Sequence, residues 1–148
     1  MKAFFVLALF LCTLTSFAHE GGHGEVAEGG KFGGITAPLV DKADAGKGTK
    51  AKTLYKAELV RAESGKLSLY VFDEKMELLD LKAFGESVDA KLEVKKKGKF
   101  IYVGEFKFTK NGSHYTAQLP KVQYKPFNID LFLTREGRSL FAGFSNLD

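Results

Sequence analysis

The chain has 148 residues, 45% of them hydrophobic and 27% charged, with a formal net charge of +4. These values exclude a disordered, collagen-like or many-span membrane chain, and the length suits one domain of common size. Fourteen phenylalanines and sixteen glycines, beside three prolines and no tryptophan, fit a β-rich core joined by tight turns.

The first eighteen residues read as a separate object. Lys2 supplies a positive charge, residues 3–14 are almost unbroken apolar sequence, and Ser16 and Ala18 put small residues at the −3 and −1 positions. This is the layout of a secretory signal peptide, with cleavage expected between Ala18 and His19. The apolar run is short for a membrane span of about 20 residues, so no stable membrane insertion is expected once it is removed. Cleavage also removes Cys12, the single cysteine. A mature chain without a disulfide or a thiolate ligand fits the bacterial periplasm, and a secreted, periplasmic address is the expectation.

Residues 19–34 carry glycine at almost every second or third place, and residues 41–52 are small and polar with four lysines. Together 19–52 read as a flexible arm that only an interaction would order, although the apolar patch at 35–40 could dock as an edge strand. A compact domain is expected over 53–148. Within it, residues 54–60 alternate loosely and Leu67, Leu69 and Val71 share a face. Residues 76–81 form a further short run, and 82–87 make a connector with room for one helical turn. Ala90, Leu92 and Val94 then alternate with charged neighbours as in a half-buried strand. Lys95, Lys96, Lys97 and Lys99 make a basic hairpin tip around Gly98. In the next run Phe100, Tyr102, Phe106 and Phe108 share parity, and Gly104 interrupts the row as at a bulge or a close backbone approach. Asn111-Gly112 is a strong hairpin signal. Residues 114–119, 127–134 and 140–144 complete the series, with 120–126 as a longer link. Seven or eight short strands at this spacing, without an amphipathic helix, predict an all-β fold, a β-sandwich or small barrel, and of the two a single antiparallel, immunoglobulin-like β-sandwich is the expectation.

Enzyme signatures are missing from the sequence. There is no nucleophile elbow, no phosphate-binding glycine loop and no zinc-protease helix motif, so a non-enzymatic role is expected. The mature amino terminus offers the sharpest chemistry. After cleavage the free amine and imidazole of His19 could close a chelate ring, with His23 four residues on and Glu20 adding oxygen. Nitrogen donors of this kind suit Cu(II), with Ni or Zn as alternatives. The blander reading is a polar leader whose histidines are incidental. His114, just past the Asn111-Gly112 turn, reads as a hairpin-end residue. The lysine tip could meet an anionic surface, but such tips commonly blunt edge pairing, and no nucleic-acid partner is expected of an exported chain. Tyr70, Tyr102 and Tyr124 could line a ligand pocket or serve in packing.

Several short motifs carry a family resemblance: Gly33-Gly34-Ile35 after the histidine-bearing leader, Tyr55-Lys56-Ala57-Glu58-Leu59-Val60, the run from Gly65 to Asp73, and the closing strand from Gly137 to Phe144. In these the chain resembles a group of small exported bacterial β-sandwich proteins that accompany heavy-metal efflux systems. The resemblance implies an accessory of envelope metal homeostasis, with a metal ion or an envelope efflux protein as partner. Members often carry histidine directly before the paired glycines, where this chain has Phe32, so any metal role falls on His19 and His23. The alternative is an envelope protein–protein interaction module in which an exposed edge strand or aromatic strip engages its partner.

Overall fold

The computed structural model describes residues 27–148. Among the described residues nine strands run in chain order: β1 (Ala27–Glu28), β2 (Ile35–Asp41), β3 (Thr53–Arg61), β4 (Lys66–Phe72), β5 (Ser87–Lys96), β6 (Lys99–Asn111), β7 (His114–Gln118), β8 (Phe127–Arg135) and β9 (Arg138–Leu147). Two 3-10 stretches sit between them, Lys42–Lys50, kinked at Gly48, and Leu81–Ala83. All pairings are antiparallel, in the order β1-β2-β3-β4-β7-β6-β5-β8-β9.

The decisive pairing is between β2 and β9, Val40 with Phe141 and Asp41 with Leu140. Strand β2 also pairs with β3, so the sheet closes on itself. The expected sandwich is therefore corrected to a barrel of eight strands, with β1 added at the start of β2. Alternation alone cannot distinguish the two, because inward and outward residues alternate in both. Only the long-range pairing decides.

Residues 35–41, grouped with the arm by composition, are the closing stave of this barrel. The following 3-10 helix begins at Asp41, whose Oδ1 accepts from the backbone N–H of Ala43 at 2.9 Å while Arg138 Nε donates to Oδ2 at 2.7 Å. The Ala43 amide first, and Arg138 second, hold the Asp41 carboxyl below its ordinary value. One side chain thus caps a turn and ties the two strands of the seam.

The interior is filled by the inward residues of all eight staves, among them Leu39, Ala57, Leu69, Val88, Leu92, Phe108, Tyr115, Ile129, Leu131, Leu140 and Phe144. Eight strands enclose a space that side chains can just fill, and each large side chain buried this way contributes about 1.5–3 kcal/mol. Charged residues such as Lys91, Asp89 and Lys107 face outward, the reverse of a lipid-facing barrel. No helix among the described residues is long and apolar enough to cross a membrane.

Two further expectations change. Residues 76–81 form no strand: Met76 turns at positive φ, Leu78 makes an isolated bridge to Phe72, and Leu81 starts the second 3-10 helix. The aromatic row of β6 is split as well. Glu93 pairs with Tyr102 but Leu92 pairs with Gly104, so Val103 is an extra, bulged residue. Beyond the bulge Phe106 and Phe108 pair with Ala90 and Val88 and face the core, whereas Phe100 and Tyr102 pair with Lys95 and Glu93 and face out. Four aromatics of one parity occupy two faces.

Candidate functional site

The sequence-derived ligands His19, Glu20 and His23 lie outside the described residues. Among the described residues no group of three His, Cys, Asp or Glu side chains could hold a metal ion.

The glycine-rich stretch that is described has a defined shape. Gly30 N donates to Gly34 O and Gly33 N to Gly30 O, both at 3.0 Å, which folds the chain into a tight turn against β3. Glu58, fully buried on β3, supplies the interaction that orders it: Oε1 accepts from Phe32 N and Gly34 N, each at 2.8 Å. Its Oε2 is buried with no hydrogen-bond partner among the described residues. A Cβ at Gly30 would lie 2.3 Å from Glu58 Cδ, and one at Gly34 would lie 2.5 Å from the Leu59 carbonyl oxygen, so both sites need glycine for close approach.

The same turn sets Phe32 on the outer wall. Its ring stacks on Tyr70 at 4.2 Å between centroids, and Tyr70 stacks in turn on His114 at 4.9 Å. His114, at the hairpin end opposite Asn111, is thus half-buried in a three-ring stack. The stack absorbs Tyr70, while Tyr102 and Tyr124 are exposed elsewhere. The three tyrosines line neither of the grooves described below, and packing accounts for Tyr70.

At one end of the barrel, Arg135 lies over the rings of Tyr55 and Phe84, 4.7 Å and 5.3 Å from their centroids, and Nη1 donates to the Tyr55 hydroxyl. This reads as a plug closing the core. A shallow groove of about 490 Å³ runs along Lys42, Lys91, Lys107 and Phe132, with the Lys42 and Lys91 ammonium groups 5.3 Å and 5.4 Å from the Phe132 ring centre. A smaller one of about 230 Å³ lies beneath Gly33, beside Leu59, Arg61 and Phe127.

The most consequential feature is the outer edge of β6. Strand β5 pairs with β6 along its length, from Lys99 to Thr109, but β7 meets β6 only at Thr109, Lys110 and Asn111. Strand β7 is five residues long and continues beside β4. Residues 100–108 of β6 consequently have no strand on their second edge among the described residues. The link 119–126 leads from β7 to β8, with Leu119 and Val122 against the core and Pro126 O accepting from Lys95 N at 3.0 Å on the β8 side of β5. Ile101 pairs with the inward-facing Val94, yet it is 41% exposed; Tyr102 and Val103 are 57% and 48% exposed. An exposed row of this kind beside unpaired backbone groups is a template for another strand.

Sequence reasoning placed the lysine tip, the bulge at Gly104 and the strand, but missed the open edge. The signal for it was the mismatch between a β6 run from 99 to 111 and a β7 run ending at 118, which leaves β6 without a partner over most of its length. No protein-family model matches the chain, and no curated protein or solved structure matches it.

Proposed function

We propose that the mature chain is a non-enzymatic, exported binding module that captures an extended segment of an envelope protein by strand addition along β6. The observation that carries this reading is the edge of residues 100–108, unpaired among the described residues, with Ile101, Tyr102 and Val103 exposed on it. In strand addition the backbone N–H and C=O groups provide affinity and the alternating side chains provide selectivity. The bulge at Val103 and the lysines of the tip limit indiscriminate pairing while leaving the ladder open to a matching segment. The efflux-system partner implied by the sequence resemblance is one protein of this class.

The test is a display library of random peptides selected on the mature chain, followed by amide hydrogen exchange of the complex. Selected peptides should slow exchange within residues 100–108 and lose binding in Val103→Pro, with circular dichroism verifying the barrel. Ile101→Asn, which leaves the backbone donors in place, should weaken binding without abolishing it. Protection confined to another strand would refute the proposal.

A second reading rests on the spacing of His19, Glu20 and His23 behind the expected cleavage point: capture of Cu(II), or of Ni or Zn, by the mature amino terminus. Calorimetric titration of Cu(II) into a chain beginning at His19 tests it. Stoichiometric binding that is lost on replacing His19 and His23 by alanine supports the metal role; binding no tighter than that of a simple histidine peptide refutes it.

A further inference from the structure

The open edge ends at a concentration of positive charge. Lys95 and Lys96 close β5, Lys97 and Gly98 form the turn, and Lys99 opens β6; all four lysines are exposed. The link 119–126 adds Lys121 and Lys125, also exposed. Two contacts bring the stretches together: Lys95 N donates to Pro126 O at 3.0 Å, and Lys96 Nζ lies 5.3 Å from the centre of the Tyr124 ring. Neither residues 94–100 nor residues 119–127 include an Asp or Glu. None of the six ammonium groups forms a salt bridge among the described residues. The wall changes character further along β6, where Lys107 is matched by Asp89 at 3.0 Å.

We infer that the segment added to β6 is bipartite: apolar residues alongside Ile101, Tyr102 and Val103, continuing into a run of carboxylates beside the hairpin-tip lysines Lys95, Lys96, Lys97 and Lys99. The inference rests on the strand-addition reading and supplies the chemistry of its partner. Like charges packed this closely repel one another, and an acidic run relieves that repulsion while its backbone extends the ladder. An anionic lipid surface would satisfy the charge but offers no backbone groups to pair with residues 100–108, so a peptide fits more of what is exposed.

Three labelled peptides test this, each a Val/Thr alternation ending in a run of Glu, Gln or Lys and made with the run at either end. Fluorescence anisotropy at low salt should give the Glu peptide about tenfold tighter binding than the Gln peptide. The gap should narrow at about 1 M salt, where the screening length is about 3 Å. The triple variant Lys95→Glu, Lys96→Glu, Lys97→Glu should instead prefer the Lys peptide. Equal affinity for all three peptides, abolished by Val103→Pro, would overturn the acidic partner and leave strand addition standing. Binding to none of them would overturn both, and binding only to phosphatidylglycerol vesicles would reassign the tip to a lipid surface.

Discussion

Replacing Glu58 by leucine isolates the interaction that orders the glycine turn. Leucine keeps an apolar side chain of comparable bulk on β3, but the acceptor for Phe32 N and Gly34 N disappears. The Gly34 site is buried and the Phe32 site partly so. Leaving a buried donor without a partner costs about 1–3 kcal/mol, which puts the gross penalty at roughly 2–5 kcal/mol. The turn can escape part of it by swinging into water. That route forfeits the stack of Phe32 on Tyr70, worth about 0.5–1.5 kcal/mol, and regains chain entropy. The net loss expected in urea unfolding is therefore near the lower end, about 2–3 kcal/mol. Amide exchange should locate it, with Phe32 and Gly34 losing protection while Leu69, Leu131 and Ala142 in the barrel keep theirs. Glu58→Gln retains an oxygen acceptor and should lose less than half as much. Equal losses in the two variants, or unchanged protection at Gly34 in the leucine variant, would refute the assignment of Glu58 as the staple.

Gly30→Ala should reproduce the loss of protection at Gly34 with Glu58 intact, because its Cβ would overlap the Glu58 carboxyl; thermal unfolding and exchange check it. Tyr115, whose hydroxyl donates to Gly85 O at 2.7 Å, has its phenol pushed up to about 12, by burial first and by Glu86 second. A raised folded-state value means that its contribution is complete below the unfolded value near 10 and is lost as pH climbs to about 12, on the order of 2–3 kcal/mol. Tyr115→Phe should flatten that alkaline decline in a pH series of urea melts. Asp41 is held below its ordinary value by the Ala43 amide and then Arg138, so its contribution is present above pH 4 and fades as pH falls through the lower folded value. Asp41→Asn should reduce the acid dependence of the melting temperature, with Arg138→Gln as a partial mimic.

The local structure was largely legible and the closure was not. Leu67, Leu69 and Val71 announced β4, and Ala90, Leu92 and Val94 announced β5, because a period of two is a local property of the chain. The partner of Val40 is Phe141, and nothing within either segment marks the other. Glu58 was equally hidden: in an alternating strand it reads as one of the solvated acids, and the amides that cover it belong to Phe32 and Gly34. Glycine content predicts flexibility over 19–34 unless something binds it, and at Gly30 and Gly34 the missing side chain is what allows close contact with Glu58 and Leu59. Gly104 marks an interruption of β6 beside the bulged Val103; its effect on facing was not readable, since one inserted residue reverses every later side chain. The candidate edge is a negative feature, created where β7 follows β4 instead of β6, and no residue type encodes an absent neighbour.

The seam between β2 and β9 makes the order of folding a matter of chain length. Hairpins such as β5–β6 and β8–β9 can form as soon as their own residues are free, but the register that joins Val40 to Phe141 spans about a hundred residues. High contact order of this kind slows folding, and until β9 is released the edges of β2 and β8 stand open together. A chain shortened before Arg138 would lose the last stave and remain an unclosed curl with its apolar lining bared. Conversely, the meeting of the first long stave with the last at one seam makes this a natural place to join the ends and open new termini at the Asn111-Gly112 turn. Such a circular permutant would make the β2–β9 seam local and move the long-range closure to the three-residue pairing of β6 with β7.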